Sequence, residues 1–273
     1  MKKIPFIKYA AAGNDFLVVE NLKTDVKKLT IAACDRKTGV GADGILVLDK
    51  SKTCDYRMRI INSDSSEAEM CGNGVRCLAT YIVQNKSPKK KRFTIETLAG
   101  TIQNEVEGNI ASSCLSDPKD FRDNIAIDIN SRKLHVTYID TGVPHTIVFV
   151  SEIEKINVEK LGLLIRTHKE FAPRGTNANF VEQIKDDFIK VRTFERGVEG
   201  ETLACGTGSV ASAIVTFLKA NPDIKTKKNI AMKVQTSGGE ILEVKFDVLE
   251  KKVTNVWLTG KVKLIAKGEF YHV

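Results

Sequence analysis

Short runs of β-branched and aromatic residues, broken by Gly, Asn and Asp, dominate the first part of the chain: FLVVEN (16–21), GILVLD (44–49), YRMRIIN (56–62), RFTIET (92–97) and TIQNEVEGN (101–109). Runs of this kind predict strands. Two stretches switch to a helical period. VRCLATYIVQN (75–85) places Val75, Leu78, Ala79 and Ile82 on one face. SVASAIVTFLKAN (209–221) does the same with Val210, Ala213, Ile214 and Phe217, and stops before Pro222.

The pattern repeats. EAEMCGNG (67–74) and ETLACGTG (201–208) superpose without gaps, with Glu67 and Glu201 each four residues before a cysteine. Upstream, MRIINSD (58–64) answers VRTFERG (191–197) with one inserted residue, and GNDFLVVE (13–20) answers VPHTIVFV (143–150). Downstream, ETLAGTIQNEV (96–106) answers QTSGGEILEV (235–244). Four features in one order predict an internal duplication. The expected fold is α+β: two pseudo-symmetric domains, each a strand-rich sheet wrapped around a central helix, with the active site in the cleft between them. The halves are expected at 1–115 and 116–261, with a final strand at about 262–273 (VKLIAKGEFYHV) returning to the first.

Composition narrows the class. A hydrophobic content of 42% beside 28% charged residues is that of a globular protein. No apolar run approaches the roughly 20 residues of a membrane span, and Asn14 and Asp15 interrupt the only segment placed like a signal. We therefore expect a cytoplasmic protein without a membrane partner. The net charge of +8 permits a nucleic-acid reading, but the basic run NKSPKKKRF (85–93) has no interleaved aromatics and reads as a solvated connection. No nucleic-acid partner is expected. Six cysteines are too few for a disulfide scaffold, and neither they nor the four histidines have metal-ligand spacing. Cys34, Cys54, Cys77 and Cys114 read as packing residues.

Cys71 and Cys205 read differently, because each stands where a helix begins. Unpaired N–H groups and the helix dipole favour a thiolate there. Glycines one and three residues later let backbone donors approach an anion such as a carboxylate. A pair of such sites facing one substrate suits inversion at a carbon: one thiolate removes a proton while the opposite thiol delivers another. Donors at the helix ends stabilise the charge that develops on the carboxylate.

GNDF, GVGADG, INSDSSEAEMCGNGVRC, PHTIV, GTNANFVE and RTFERGVEGETLACGTGSVASA together resemble the diaminopimelate epimerases. The resemblance implies a cofactor-free isomerase that interconverts LL- and meso-diaminopimelate, a small-molecule substrate on the lysine and peptidoglycan route; a homodimer is compatible with it. It implies that Cys71 and Cys205 are the acid/base pair and that Gly72–Asn73 and Gly206–Thr207 hold the reacting carboxylate. Asn14, Asn62, Asn177, Glu195 and Arg196 match positions that bind the rest of the substrate. His145 and Glu195 match residues that orient the substrate amine and tune the thiols. Three positions depart from the family pattern. Ala11 replaces a glycine, Val143 stands where many members have Asn, and Gly44 stands where some have a substrate-contacting Gln. The related proline racemases and hydroxyproline epimerases generally show CGHG at the first cysteine, where this chain has Asn73.

Overall fold

The computed structural model describes residues 2–20, 22 and 24–272, the side chain of His272 excepted. Asn21 and Val273, the last residues of two expected strands, lie outside the described residues, as do Met1 and Lys23. The chain divides into two compact units, Met1–Cys114 with Thr259–Val273, and Leu115–Leu258.

The first unit runs β1 (Lys2–Ala11), β2 (Asn14–Glu20), α1 (Val26–Cys34), β3 (Gly44–Asp49), β4 (Tyr56–Asn62), β5 (Glu67–Ala68), α2 (Gly72–Asn85), β6 (Arg92–Thr97), β7 (Gly100–Glu107) and β8 (Ile110–Cys114). The second runs β9 (Lys119–Ile129), β10 (Arg132–Asp140), β11 (Pro144–Phe149), α3 (Val158–Arg166), β12 (Asn177–Lys185), β13 (Phe188–Glu195), β14 (Gly200–Thr202), α4 (Gly206–Ala220), β15 (Lys227–Gln235) and β16 (Ile241–Leu249). After β17 (Lys252–Lys261), β18 (Lys263–His272) lies antiparallel to β1, from Lys2 opposite His272 to Ala10 opposite Lys263.

Strand pairing shows the duplication residue by residue. β2 runs parallel to β3 with Phe16 opposite Gly44, and β11 runs parallel to β12 with His145 opposite Asn177. β3 and β4 are antiparallel with Gly44 opposite Asn62, as β12 and β13 are with Ala178 opposite Phe194. β4 and β6 repeat as β13 and β15. The register makes Asn62 equivalent to Glu195, Gly44 to Asn177, and Phe16 to His145. The ungapped match of GNDFLVVE to VPHTIVFV is therefore one residue out of step, because only backbone pairing distinguishes two frames of a short apolar run.

Both cysteine-led helices are encased. Residues 73–82 of α2 and 208–217 of α4 are buried without interruption. A helix buried on all sides has to be wrapped by its sheet, and α2 packs on β1, β2, β3, β4, β7 and β8 while α4 packs on β10, β11, β12, β13, β15 and β16. The helices begin earlier than their periodicity indicates, at Gly72 and Gly206, so the CGxG glycines form the first turn rather than a preceding loop. Each half also holds a helix the pattern did not reveal. In α1 and α3 a polar residue caps the start, Asp25 accepting from the Lys27 and Lys28 N–H groups and Asn157 from Lys160. Both are nine residues long, shorter than the window over which a helical period is counted, although in α3 Val158, Leu161 and Ile165 do share one face.

The basic run is a connection between α2 and β6 whose charges are largely paired: Lys86 with Glu20, Lys90 with Asp55, Lys91 with Glu107 and Arg92 with Glu105. Cys34 and Cys77 are buried, as packing residues are, but Cys54 and Cys114 are only half-buried; Cys54 Sγ lies 3.3 Å from Thr101 Oγ1. No helix among the described residues is long and apolar enough to cross a membrane.

Candidate active site

In the first unit Cys71 is the N-cap of α2. Its extended backbone (φ −142°, ψ 118°) turns the side chain over the first turn, where Sγ accepts the Gly74 N–H at 3.4 Å. That is the geometry of a Ser or Asp cap with sulfur in place of oxygen. A helix leaves its first N–H groups without partners in the helix. With the third such group directed to the sulfur, those of Gly72 and Asn73 remain for an anion. The Asn73 side chain is buried and hydrogen-bonded at both ends. Its Nδ2 donates to Asn14 Oδ1 (2.8 Å) and its Oδ1 accepts from Arg76 Nη2 (2.6 Å). Asn14 Nδ2 in turn donates to Asp43 Oδ2 at 2.9 Å. Asn62 ends β4 and donates to Ser66 Oγ at 3.0 Å.

The second unit repeats the cap. Cys205 (φ −110°, ψ 113°) precedes α4, and its Sγ accepts the Gly208 N–H at 3.4 Å. The surroundings differ. The Cys205 thiol is hydrogen-bonded to the carboxyl of Glu195, whose Oε1 also accepts from Thr202 Oγ1 at 2.5 Å. Burial raises the Glu195 pKa, and these two hydrogen bonds only partly offset it. His145, at the start of β11, is wholly buried; Asn179 Nδ2 donates to its Nδ1 at 3.1 Å. That bond assigns the proton to Nε2, which has no partner among the described residues. Burial lowers the His145 pKa to about 3, the Asn179 bond counters it, and the charge on Arg196 adds to the lowering. His145 is therefore a neutral imidazole at any working pH.

Glu67 and Glu201, four residues before each cysteine, have a structural role. Arg59 on β4 clasps Glu67 on β5 at 2.7 and 2.9 Å, and Arg192 on β13 clasps Glu201 on β14 at 2.7 and 2.7 Å. The bidentate fork ties the short strand that delivers each cysteine to the strand carrying Asn62 or Glu195.

The family model for diaminopimelate epimerase matches residues 6–114 and 137–265. The chain belongs to the diaminopimelate epimerase family. It is 40% identical to the diaminopimelate epimerase of Aquifex aeolicus over 96% of both chains, and 40% identical to that of Methanocella arvoryzae over 98% of this chain and 97% of the relative. Among solved structures it resembles a PhzF-family phenazine biosynthesis protein of Bacillus anthracis (TM-score 0.76, 18% identity, all of both chains). It also resembles a hydroxyproline epimerase of Agrobacterium vitis (TM-score 0.70, 14% identity, 98% of this chain and 92% of the other). At those identities the structures speak for the fold, the two-repeat α+β architecture of the family.

Within each unit the expected residues of the family pattern gather at the helix start: Cys71, Gly72, Asn73 and Asn14 in the first, Cys205, Gly206, Thr207, Glu195 and His145 in the second. Thr207 Oγ1 lies 3.6 Å from Cys205 Sγ. Asn177 does not present a loose amide. Its Nδ2 donates to the Pro144 carbonyl (2.9 Å) and its Oδ1 accepts from the Arg196 N–H (2.8 Å), so it fixes the backbone on either side of His145 and Arg196. Arg196 makes no ion pair with Glu195; its Nη1 donates to the Arg174 carbonyl at 3.0 Å. Gly44 is a packing requirement, since a Cβ there would lie 2.5 Å from the Ile61 carbonyl oxygen.

Sequence reasoning missed Asn179, Thr202, Asp43 and Arg76. Asn179 was within reach of it: in a strand, residues two apart share a face, so Asn177 and Asn179 point the same way. Arg76 was not, because nothing in a helical pattern announces a buried arginine. A cavity of about 630 Å³ in the second unit, lined by Phe121, Leu218, Pro222, Ile224 and Lys252 among others, holds none of the expected residues. It lies by the C-terminal end of α4, away from Cys205.

The His145 geometry has a measurable consequence for stability. Its folded pKa of about 3 is below the ordinary 6.5, so between those values the unfolded chain binds a proton that the folded chain does not. Stability from this group is full above pH 6.5 and is lost as pH falls, at up to about 1.4 kcal/mol per pH unit. Urea midpoints of wild type and His145→Gln, compared from pH 7 to 4.5, are expected to converge or cross as pH falls. Parallel curves would show that His145 does not titrate as its burial requires.

Proposed function

We propose that this chain interconverts LL- and meso-diaminopimelate by moving a proton on and off the α-carbon with Cys71 and Cys205. The observation that carries the reading is the pair of thiols, each the N-cap of an encased helix and each accepting the N–H three residues on. Family membership supports the substrate.

In this reading the two thiols take opposite faces of one α-carbon. One, as thiolate, removes the hydrogen, and the electron pair of the broken C–H bond moves into the carboxylate. The backbone N–H groups of Gly72 and Asn73 at one helix start, and of Gly206 and Thr207 at the other, hold the oxygens where charge accumulates. The opposite thiol then protonates the carbon from the other side, and the pair exchanges roles for the reverse direction. Arg196 offers its guanidinium to the distal carboxylate, and the His145 Nε2–H, neutral and buried, is a donor for substrate rather than a proton carrier. No cofactor is required by this route.

The test is exchange of solvent deuterium into the α-carbon of LL- or meso-diaminopimelate. Wild type is expected to catalyse it and a Cys71→Ala/Cys205→Ala double variant to lose it. Equal exchange by the two would eliminate the mechanism.

A further inference from the structure

The parallel strands β2 and β3 start side by side, and the residues at their starts are joined by more than the ladder. The Asp43 N–H donates to the Asp15 carbonyl at 2.9 Å and lies 3.1 Å from Asp15 Oδ1, while the Asp15 N–H donates to Asp43 Oδ2 at 3.1 Å. Both carboxylates share the Arg36 guanidinium. Its Nη2 lies 2.8 Å from Asp15 Oδ1 and 2.8 Å from Asp43 Oδ1, and its Nη1 lies 3.3 Å from Asp15 Oδ2. Lys8 Nζ completes the group, 2.8 Å from Asp15 Oδ2 and 2.6 Å from the Gly41 carbonyl oxygen. The turn that supplies Arg36 is itself braced. Asp35 Oδ1 accepts the Lys37 and Thr38 N–H groups, and the Val40 and Gly41 N–H groups donate to the Ala33 carbonyl at the end of α1.

Asp43 Oδ2 also accepts from Asn14 Nδ2 at 2.9 Å. A carboxylate can only accept, so the Asn14 amide has to turn its nitrogen to Asp43 and its oxygen away. That oxygen accepts from Asn73 Nδ2 at 2.8 Å. Reversed, the amide would set oxygen against the carboxylate and nitrogen against the Asn73 donor. An amide has two hydrogens and two lone pairs to give. With these two partners satisfied, Asn14 keeps one N–H and one lone pair among the described residues.

The second unit shows what the cluster is not needed for. By the register of the repeat, Val143, Pro144 and Thr176 stand where the first unit has Asn14, Asp15 and Asp43. None of the three is charged, and the start of that parallel pair is tied by the Asn177 amide donating to the Pro144 carbonyl. Strand pairing therefore does not require two acids and two bases, and ion pairs taken partly out of water contribute little net stability. What the first unit has at this place, and the second lacks, is a side-chain amide to orient.

Building on the epimerase reading, in which Asn14 contacts substrate, we propose that Asp43, held by Arg36, is a positioning residue for substrate binding. It fixes which way the Asn14 amide faces, so that Asn14 offers diaminopimelate one N–H and one lone pair in a set arrangement.

The experiment is a double-mutant cycle. KM and kcat for LL-diaminopimelate are taken from initial rates of solvent deuterium exchange in wild type, Asp43→Asn, Asn14→Ala and the double variant. Asparagine has the shape of aspartate but cannot present an acceptor to Arg36 and to Asn14 at once. Asp43→Asn is expected to raise KM by about five- to tenfold, the worth of one hydrogen bond in binding, with kcat within about threefold of wild type. A role in strand pairing alone would lower the active fraction, and so kcat, with KM unmoved. Asn14→Ala should raise KM at least as far, and adding Asp43→Asn to it should change KM by less than about twofold, because both act through one contact.

An unchanged KM in either single variant, or increases that multiply in the double variant, would overturn the proposal. Should Asp43→Asn fail to fold by circular dichroism, Arg36→Gln replaces it in the cycle, since Arg36 is exposed. A KM raised about threefold or more is then expected, as for a weakened hydrogen bond, and an unchanged KM overturns the proposal. Wild type in the same assay separates the two levels. Exchange with a multiplying cycle rejects the role of Asp43 alone, and absence of exchange rejects the epimerase reading.

Discussion

Cys71→Ser and Cys205→Ser are each expected to lower the rate of epimerisation by roughly 10³-fold or more while leaving the fold in place. The structure makes serine the informative replacement. Both cysteines cap a helix through the side chain, and serine is among the preferred N-cap residues, so the cap survives in a form at least as good. The chemistry does not survive. A hydroxyl has no thiolate-like form near neutral pH, and proton transfer by a placed group typically contributes about 10²–10⁴-fold. Melting temperatures within about 3 °C of wild type, with activity lost in both variants, would separate catalysis from capping. Retention of activity within tenfold in either variant would mean that its sulfur is a cap and nothing more. Alanine would confuse the two roles, since loss of the cap itself costs about 1 kcal/mol.

Gly208→Ala is expected to be severe and Gly74→Ala mild, although the two glycines are equivalent in the repeat. Both sit in the first turn of a helix, where alanine is otherwise preferred by up to about 1 kcal/mol. At Gly208 a Cβ would lie 2.4 Å from Asn179 Oδ1 and 3.2 Å from Cys205 Sγ. Asn179 cannot yield cheaply. Its Oδ1 accepts from Thr193 Oγ1 at 3.0 Å, and its Nδ2 donates to His145 Nδ1 and to the Thr146 carbonyl at 3.2 Å. Displacing it would disturb the imidazole and the thiol together. At Gly74 the nearest atom is the end of Leu46, at 3.2 Å, which can rotate aside. Overpacking of the first kind costs about 1–3 kcal/mol, which in a chain of this size is a fall of roughly 3–10 °C in melting temperature. Catalytic rate should drop at least tenfold in Gly208→Ala and stay within about threefold of wild type in Gly74→Ala. Indistinguishable variants would mean that the polar packing around Cys205 is more compliant than its hydrogen bonds indicate.

Much of this molecule was legible before folding because it was written twice. A single CGxG segment is weak, but two with matching strands before and after them point to two helices and one chemistry. The same device limited what could be read. The aligned glutamates Glu67 and Glu201 drew attention beside the cysteines, yet their partners Arg59 and Arg192 reveal a brace between strands. The short helices α1 and α3 escaped because nine residues are fewer than the window over which a helical period is counted, even though α3 carries Val158, Leu161 and Ile165 on one face.

By itself, the sequence determined the duplicated α+β plan, the strands and helix faces, and singled out Cys71 and Cys205 as the candidate acid/base pair, since periodicity and paired motifs are local properties of a chain. Only the tertiary structure decided the register that sets His145 opposite Asn177 and makes Glu195 the counterpart of Asn62. It alone showed Asn177 hydrogen-bonded to the backbone around His145 and Arg196, and Arg76 buried against the helix start. Those facts depend on which atoms burial brings within hydrogen-bond distance across many residues, and a hydrophobic pattern carries no record of such distances.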